Sequence, residues 1–156
     1  MADWSIYNAK KLLGDRSRKS KSKKVTRNIE HYVDAFTKTF KKEKDFGKMD
    51  FTPNSLKVID RLIKRTWKGG SPSDEGMDNC ILIFGGYVGR VLENTFDGQW
   101  WNDGSESVFV LFDEEKKMAF AFHPYTWAMK RLVEGESLED KFGIISVMAA
   151  PYVAKK

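Results

Sequence analysis

Apolar residues recur at helical intervals through the first part of the chain and alternate with a period of two after Asp97-Gly98. Ile29, Val33, Phe36 and Phe40 are spaced four, three and four apart, one face of an amphipathic helix running from about Thr26 to Lys42. Ile6, Ala9 and Leu13 share the same kind of spacing and predict a short helix over 5–13. Thr52-Pro53 reads as an N-cap with proline at the first helical position, where its missing N–H is not needed. The helix that follows carries its buried stripe on Leu56, Ile59, Leu62, Ile63 and Trp67, and Lys68-Gly69-Gly70 ends it. Ser71 to Gly76 is a loop.

Asp78 opens a third helix that runs to about Glu93. Ile81, Leu82, Ile83, Phe84, Tyr87, Val88, Val91 and Leu92 make it apolar nearly all round, as a core helix is. Gly85, Gly86 and Gly89 each cost about 1 kcal/mol of helix propensity against alanine, so a close neighbour is expected to compensate. A strand over 80–84 is the competing reading. Gln99–Trp101 begins a strand, Ser107–Phe112 is a second, and Met118–Phe122 returns after the polar turn Asp113 to Lys117. His123-Pro124 ends that hairpin and Tyr125–Val133 is helical up to Gly135. Ser137-Leu138-Glu139-Asp140 is a capping-box pattern with Asp for Glu, opening a last helix toward Ala149; 151–156 is a tail.

These elements predict an α+β fold. It has N-terminal helices, a central buried glycine-containing helix, a short antiparallel hairpin or meander, and two C-terminal helices. A length of 156 residues suits one domain, and five Trp with eleven Phe can build its core without staples. The predicted division is a basic, flexible segment over 1–25 followed by a single domain over 26–156. No apolar run reaches the roughly 20 residues of a membrane helix. The first residues lack a secretory h-region, and Cys80 has no disulfide partner, so a cytoplasmic location is expected. Cys80 lies in an apolar run and reads as a buried, inert thiol; the nearby helix start at Asp78 is what keeps a reactive one open.

Charge divides the chain. Residues 1–70 hold 19 Lys and Arg against 8 Asp and Glu, and residues 71–156 hold 8 against 14. The densest basic block contains Arg16, Arg18, Lys19, Lys21, Lys23 and Lys24; Arg61, Lys64 and Arg65 form another. Together they are a candidate surface for nucleic acid, although no RNP-like run, GXXG loop or zinc-finger ligand set accompanies them. Solvated helix faces and a linker account for the same charges.

Little in the chain points to catalysis. His31, His123 and Cys80 cannot assemble a transition-metal site, and neither HExxH nor CxxC spacing occurs, so no metal or cofactor is expected. The run Phe84 to Arg90 lacks the GK[ST] ending of a phosphate loop and the GxGxxG spacing of a dinucleotide site. GxSxG and SxxK are absent too. His123 reads as a hydrogen-bonded structural histidine, yet it is also the best general-base candidate in the chain. Trp100 and Trp101 would point to opposite faces of a strand, one into the core and one outward. An outward Trp beside Asp103, Glu106, Glu114 and Glu115 suits a protein interface, and Trp100, Trp101 and these four carboxylates are the candidate partner-binding residues.

The segment from Phe84 to Val91, followed by Asp97-Gly98-Gln99-Trp100, resembles a pattern of bacterial domains that read Gly-Ala-Tyr-Leu-Gly-Glu-Val and then Gly-Gly-x-Trp. Thr52 to Leu56 matches the helix start found upstream in those domains, and His123-Pro124 the Pro-containing start downstream; the resemblance spans 50–142. The chain departs from the pattern at Arg90, where the domains have Glu. Similar small domains occur among immunity and contact-competition proteins. The resemblance carries no activity of its own; together with the missing catalytic motifs, the small size and the charge division, it leads to the expectation of a non-catalytic module that binds another protein, as an immunity protein neutralises a toxin. Nucleic-acid binding through the basic half is the alternative.

Overall fold

The alternation in the second half becomes an antiparallel sheet, and the helical stripes pack on one of its faces. In the computed structural model, residues 1–67 and 71–153 are described; the expected helix stop at 68–70 and the end of the tail lie outside them. The elements are β1 (Trp4–Asn8), α1 (Ala9–Leu13), α2 (Arg18–Phe40), α3 (Leu56–Thr66), α4 (Asp74–Thr95), β2 (Gln99–Asn102), β3 (Ser107–Asp113), β4 (Met118–Phe122), α5 (Pro124–Glu134) and α6 (Leu138–Ala149). The order across the sheet is β1-β4-β3-β2, all antiparallel. The fold class is α+β, as the periodicity predicts.

Two expectations at the N-terminus are corrected. The helix expected over 5–13 is strand β1 followed by a single short helix, α1. Trp4 and Ile6 alternate with Ser5 and Tyr7, and pairing with β4 overrides the helical spacing of Ile6, Ala9 and Leu13. The basic block is not a linker either: Arg18 to Lys24 are the first turns of α2, with Val25 buried directly behind them. Asp15 ties this start down. Its Oδ1 accepts from Ser17 N–H at 2.9 Å, and its Oδ2 accepts from Lys21 Nζ at 2.7 Å and from Trp101 Nε1 at 2.8 Å. These partners, Lys21 first, hold its carboxyl well below the usual carboxylate range.

The glycines of α4 behave as expected. α4 is helical through 80–84 and packs between α2 and α5. A Cβ on Gly86 would sit 2.6 Å from Tyr32 Cβ on α2, and one on Gly89 would sit 2.8 Å from Ile29 Cδ1. The main core fills the space between these helices and the inner sheet face, where Trp100, Phe109, Leu111, Phe120 and Phe122 project. Trp127, Tyr87 and Phe36 are fully buried in it, and burying one such large side chain contributes about 1.5–3 kcal/mol. Cys80 lies within α4, beyond its first turn, and is half-buried; burial pushes its thiol up, the opposite of activation. Among the described residues no helix is long and apolar enough to cross a membrane.

A second, smaller core lies on the outer sheet face. There Trp101, Val108, Val110, Ala119 and Ala121 are covered by Leu12 of α1 and flanked by Tyr7. Polar ties anchor the ends of the chain. Asp3, just before β1, pairs with Lys130 and Lys141, each at 3.1 Å. Asp60 of α3 joins α5 to α6.

Candidate functional site

Because side chains directly opposite in an antiparallel pair share a face, the register sorts the polar residues. Ser5 faces Ala121 and Tyr7 faces Ala119, while Trp101 faces Val108. His123 follows Phe122 in phase with Ala121, and its N–H donates to Asp3 O at 3.1 Å, which extends the β1–β4 ladder by one pair. Ser5, Tyr7, Trp101, Asp103, Glu106 and His123 therefore project from the outer face, near the end where the β2–β3 turn lies.

There they form two linked hydrogen-bond chains. Ser5 Oγ is 2.6 Å from His123 Nε2, and His123 Nδ1 is bonded to Glu106 Oε1. Thr126 Oγ1, on the buried first turn of α5, donates to Glu106 Oε2 at 3.0 Å. A carboxylate only accepts, so with Glu106 ionised Nδ1 carries a proton, and the direction of the bond between Ser5 Oγ and Nε2 follows the protonation of Nε2. His123 is 5% exposed, whereas Ser5 reaches solvent in part. In this order, hydroxyl to imidazole to carboxylate, the ring can take the hydroxyl proton while the carboxylate holds its orientation.

In the second chain, Tyr7 Oη donates to Asp103 Oδ2 at 2.5 Å. Asp103 Oδ1 accepts from the N–H groups of Ser105 and Glu106 at 2.9 and 3.1 Å. Burial first, and then the bond to Asp103, push the Tyr7 phenol up to about 12. Burial also works to raise the Asp103 carboxyl, but the bonds from Tyr7, Ser105 and Glu106 outweigh it and hold the group at about 2. The folded-state value lies below the ordinary 3.8, so Asp103 stabilises the fold above that pH and loses this contribution as pH falls toward 2. Wild-type protein should therefore lose thermal midpoint more steeply than Asp103→Asn between about pH 4 and pH 2. Parallel curves in thermal melts across that range would show that Asp103 contributes nothing.

The sheet edge next to these residues is open. Ala9 N–H donates to Lys117 O at 2.8 Å and His123 N–H to Asp3 O, so residues 3, 5, 7 and 9 are the ones bonded to β4. By the antiparallel alternation, the N–H and C=O groups of Trp4 and Ile6 point away from the sheet. Beside this edge, Trp4, Ile144, Ile145 and Met148 wall a groove of about 340 Å³, whose lining also carries Asp3, Glu136, Asp140 and Lys141. Ile6 is 45% exposed, and on α6 Ile144 and Val147 are 65% and 74% exposed.

The candidate interface residues are distributed differently from the expectation. Trp100 and Trp101 are each only 3% exposed. Trp100 Nε1 donates to Glu93 Oε1 at 2.8 Å and Trp101 Nε1 to Asp15, so both indoles are held inside and neither is an exposed anchor. The two residues do face opposite ways, but each face of the sheet has its own core. Asp103 and Glu106 are turned onto Tyr7 and His123. Glu114 and Glu115 are exposed on the β3–β4 turn, at the far end of the seven-residue β3, roughly 20 Å away. The basic residues do not form one surface. Arg16, Arg18, Lys19, Lys21, Lys23 and Lys24 cluster at the start of α2. Arg61, Lys64 and Arg65 lie on α3, and Arg65 pairs with Glu43 and Asp45 beyond the other end of α2, a helix about 34 Å long.

His123 is the residue that sequence reasoning singled out and the structure places at the centre. Ser5, Tyr7 and Thr126 were not singled out. The one signal for the first two was the alternation Trp4-Ser5-Ile6-Tyr7, and nothing local links Ser5 to a histidine 118 positions later. Comparison of the chain with protein-family models, characterised proteins and solved structures gives no match.

Proposed function

We propose that this protein is a protein-binding module that takes an extended segment of its partner onto the free edge of β1. The observation that carries this reading is the edge itself. Trp4 and Ile6 direct outward backbone donors and acceptors that have no partner among the described residues, next to an exposed apolar strip on α6. An added strand gains main-chain hydrogen bonds there, and the neighbouring groove selects its side chains. Asp3 and Glu136 are paired with Lys130 and Lys141, which leaves Asp140 as the carboxylate of the groove lining without an ion pair among the described residues, so the fitting segment alternates apolar residues and carries a basic residue opposite Asp140. The resemblance to immunity-type bacterial domains supports the finer proposal, neutralisation of a toxin domain by occlusion.

Ile6→Pro tests the edge selectively. The Ile6 N–H points outward, so proline removes a donor the partner would use and leaves the bonds to β4 in place. Wild type and Ile6→Pro are used as paired baits in extract of the native host, and the bound proteins are quantified. A protein held by wild type should then be purified and should bind Ile6→Pro at least about 10-fold more weakly, a difference of about 1.4 kcal/mol. Equal binding by a folded Ile6→Pro protein would move the interface away from β1.

A further inference from the structure

We infer that Ser5, His123 and Glu106 form an acyl-transfer site, with Ser5 Oγ as the nucleophile, His123 as its base and Glu106 as the residue that positions the base. The substrate class is carboxylic esters whose acyl group can lie along the open β1 edge. This goes beyond partner binding and does not depend on it.

Three features of the geometry support the assignment. The first is the order of the contacts: Ser5 Oγ lies 2.6 Å from Nε2, and the opposite ring nitrogen is bonded to Glu106. Glu106 is itself held by Thr126 Oγ1, so the ring is fixed from behind by a buried residue. The second is exposure. His123 and Thr126 are buried while Ser5 and Glu106 are partly exposed, so the ring is enclosed and Ser5 lies where the relay borders solvent. The third is a donor for developing negative charge. The Ile6 N–H, on the residue after the nucleophile, points out from the sheet edge and has no backbone partner among the described residues. This donor lies one residue along the edge from Ser5, and such a donor strengthens as charge builds on an oxygen that accepts from it.

The chemistry closes without a cofactor. As Ser5 Oγ bonds to the ester carbonyl carbon, its proton passes to Nε2. The bond from carbon to the alcohol oxygen breaks, and the departing oxygen takes that proton. Water then attacks the acyl-serine, giving a proton to Nε2; the acid leaves and Ser5 Oγ recovers the proton. The net reaction is ester plus water to acid plus alcohol.

The test uses the full chain with two small probes that need no strand partner, a fluorophosphonate and p-nitrophenyl acetate. Adducts are located by peptide mass spectrometry, and near-ultraviolet circular dichroism checks the fold of each variant. Wild type should carry one adduct, on Ser5, formed at a rate that rises with pH along a single-proton curve. His123→Gln should slow labelling by about 100-fold or more and abolish that curve. Glu106→Gln should slow it and displace the curve along the pH axis, which loss of a merely structural bond would not do. Absence of a Ser5 adduct on folded wild type overturns the proposal, and so does a folded His123→Gln that labels as fast as wild type. If His123→Gln does not fold, wild type against Ser5→Ala decides the matter.

Discussion

Replacing Asp60 with alanine should destabilise the protein by about 3 kcal/mol, the lower end of the penalty for leaving one member of a buried ion pair alone, because this pair is partly buried. Asp60 sits on α3, but its contacts lie on two other helices. Its Oδ1 accepts from Arg131 Nε at 2.8 Å and from Leu138 N–H at 3.0 Å. Its Oδ2 accepts from Ser137 Oγ at 3.0 Å and from Glu139 N–H at 3.1 Å. Without the carboxylate, Arg131 keeps a charge in a site only 12% exposed, and the first turn of α6 loses the acceptor for two free N–H groups. For a domain of this size the thermal midpoint should fall by roughly 10 °C, at 2–4 °C per kcal/mol. Asp60→Asn retains an acceptor but not the charge, so it should fall between the two in melts followed by far-ultraviolet circular dichroism. A wild-type midpoint for Asp60→Ala would mean that α3, α5 and α6 are held by apolar packing alone.

Gly86→Ala should also destabilise, by about 1–3 kcal/mol, although alanine is the better helix former. The added methyl would meet Tyr32 Cβ at 2.6 Å. That atom is fixed to the α2 backbone and cannot rotate away, so α2 and α4 must separate and loosen the core between them. Gly143 on α6 is the internal control: nothing lies within 4 Å of its would-be Cβ. Gly143→Ala should stabilise by up to about 1 kcal/mol. Opposite signs for the two substitutions in denaturant melts would separate helix packing from helix propensity. A stabilising Gly86→Ala would mean that α2 can shift at no cost.

Both substitutions bear on what could be read in advance. The stripe Ile29, Val33, Phe36, Phe40 and the stripe Leu56, Ile59, Leu62, Ile63 are buried as their spacing predicts, because a helix that faces a core on one side repeats its apolar residues with its own period. The close packing around Gly86 was legible as an otherwise unexplained run of glycines. The nature of Asp60 was not. An aspartate on the polar side of a helix looks the same whether it meets water or, as here, the cap of a helix 78 positions later.

At the candidate site, the sequence marked His123 and, for a different reason, Asp103 and Glu106. It misread Trp100 and Trp101, because alternation says that two neighbours face opposite ways but not that both faces of this sheet are covered. The cover on the outer face is Leu12, brought there only because β1 pairs with the last strand rather than with a neighbour in sequence.

By itself, then, the sequence determined the α+β class, the two main helical stripes, the hairpin and the glycine-bearing core helix, since each follows from local periodicity and backbone preference. Tertiary structure alone decided that 4–8 is a strand, that the basic block is helical, and that Ser5 meets His123. These depend on the pairing of β1 with β4 and on contacts between distant residues, whose free energy exceeds the small local preferences that spacing reports.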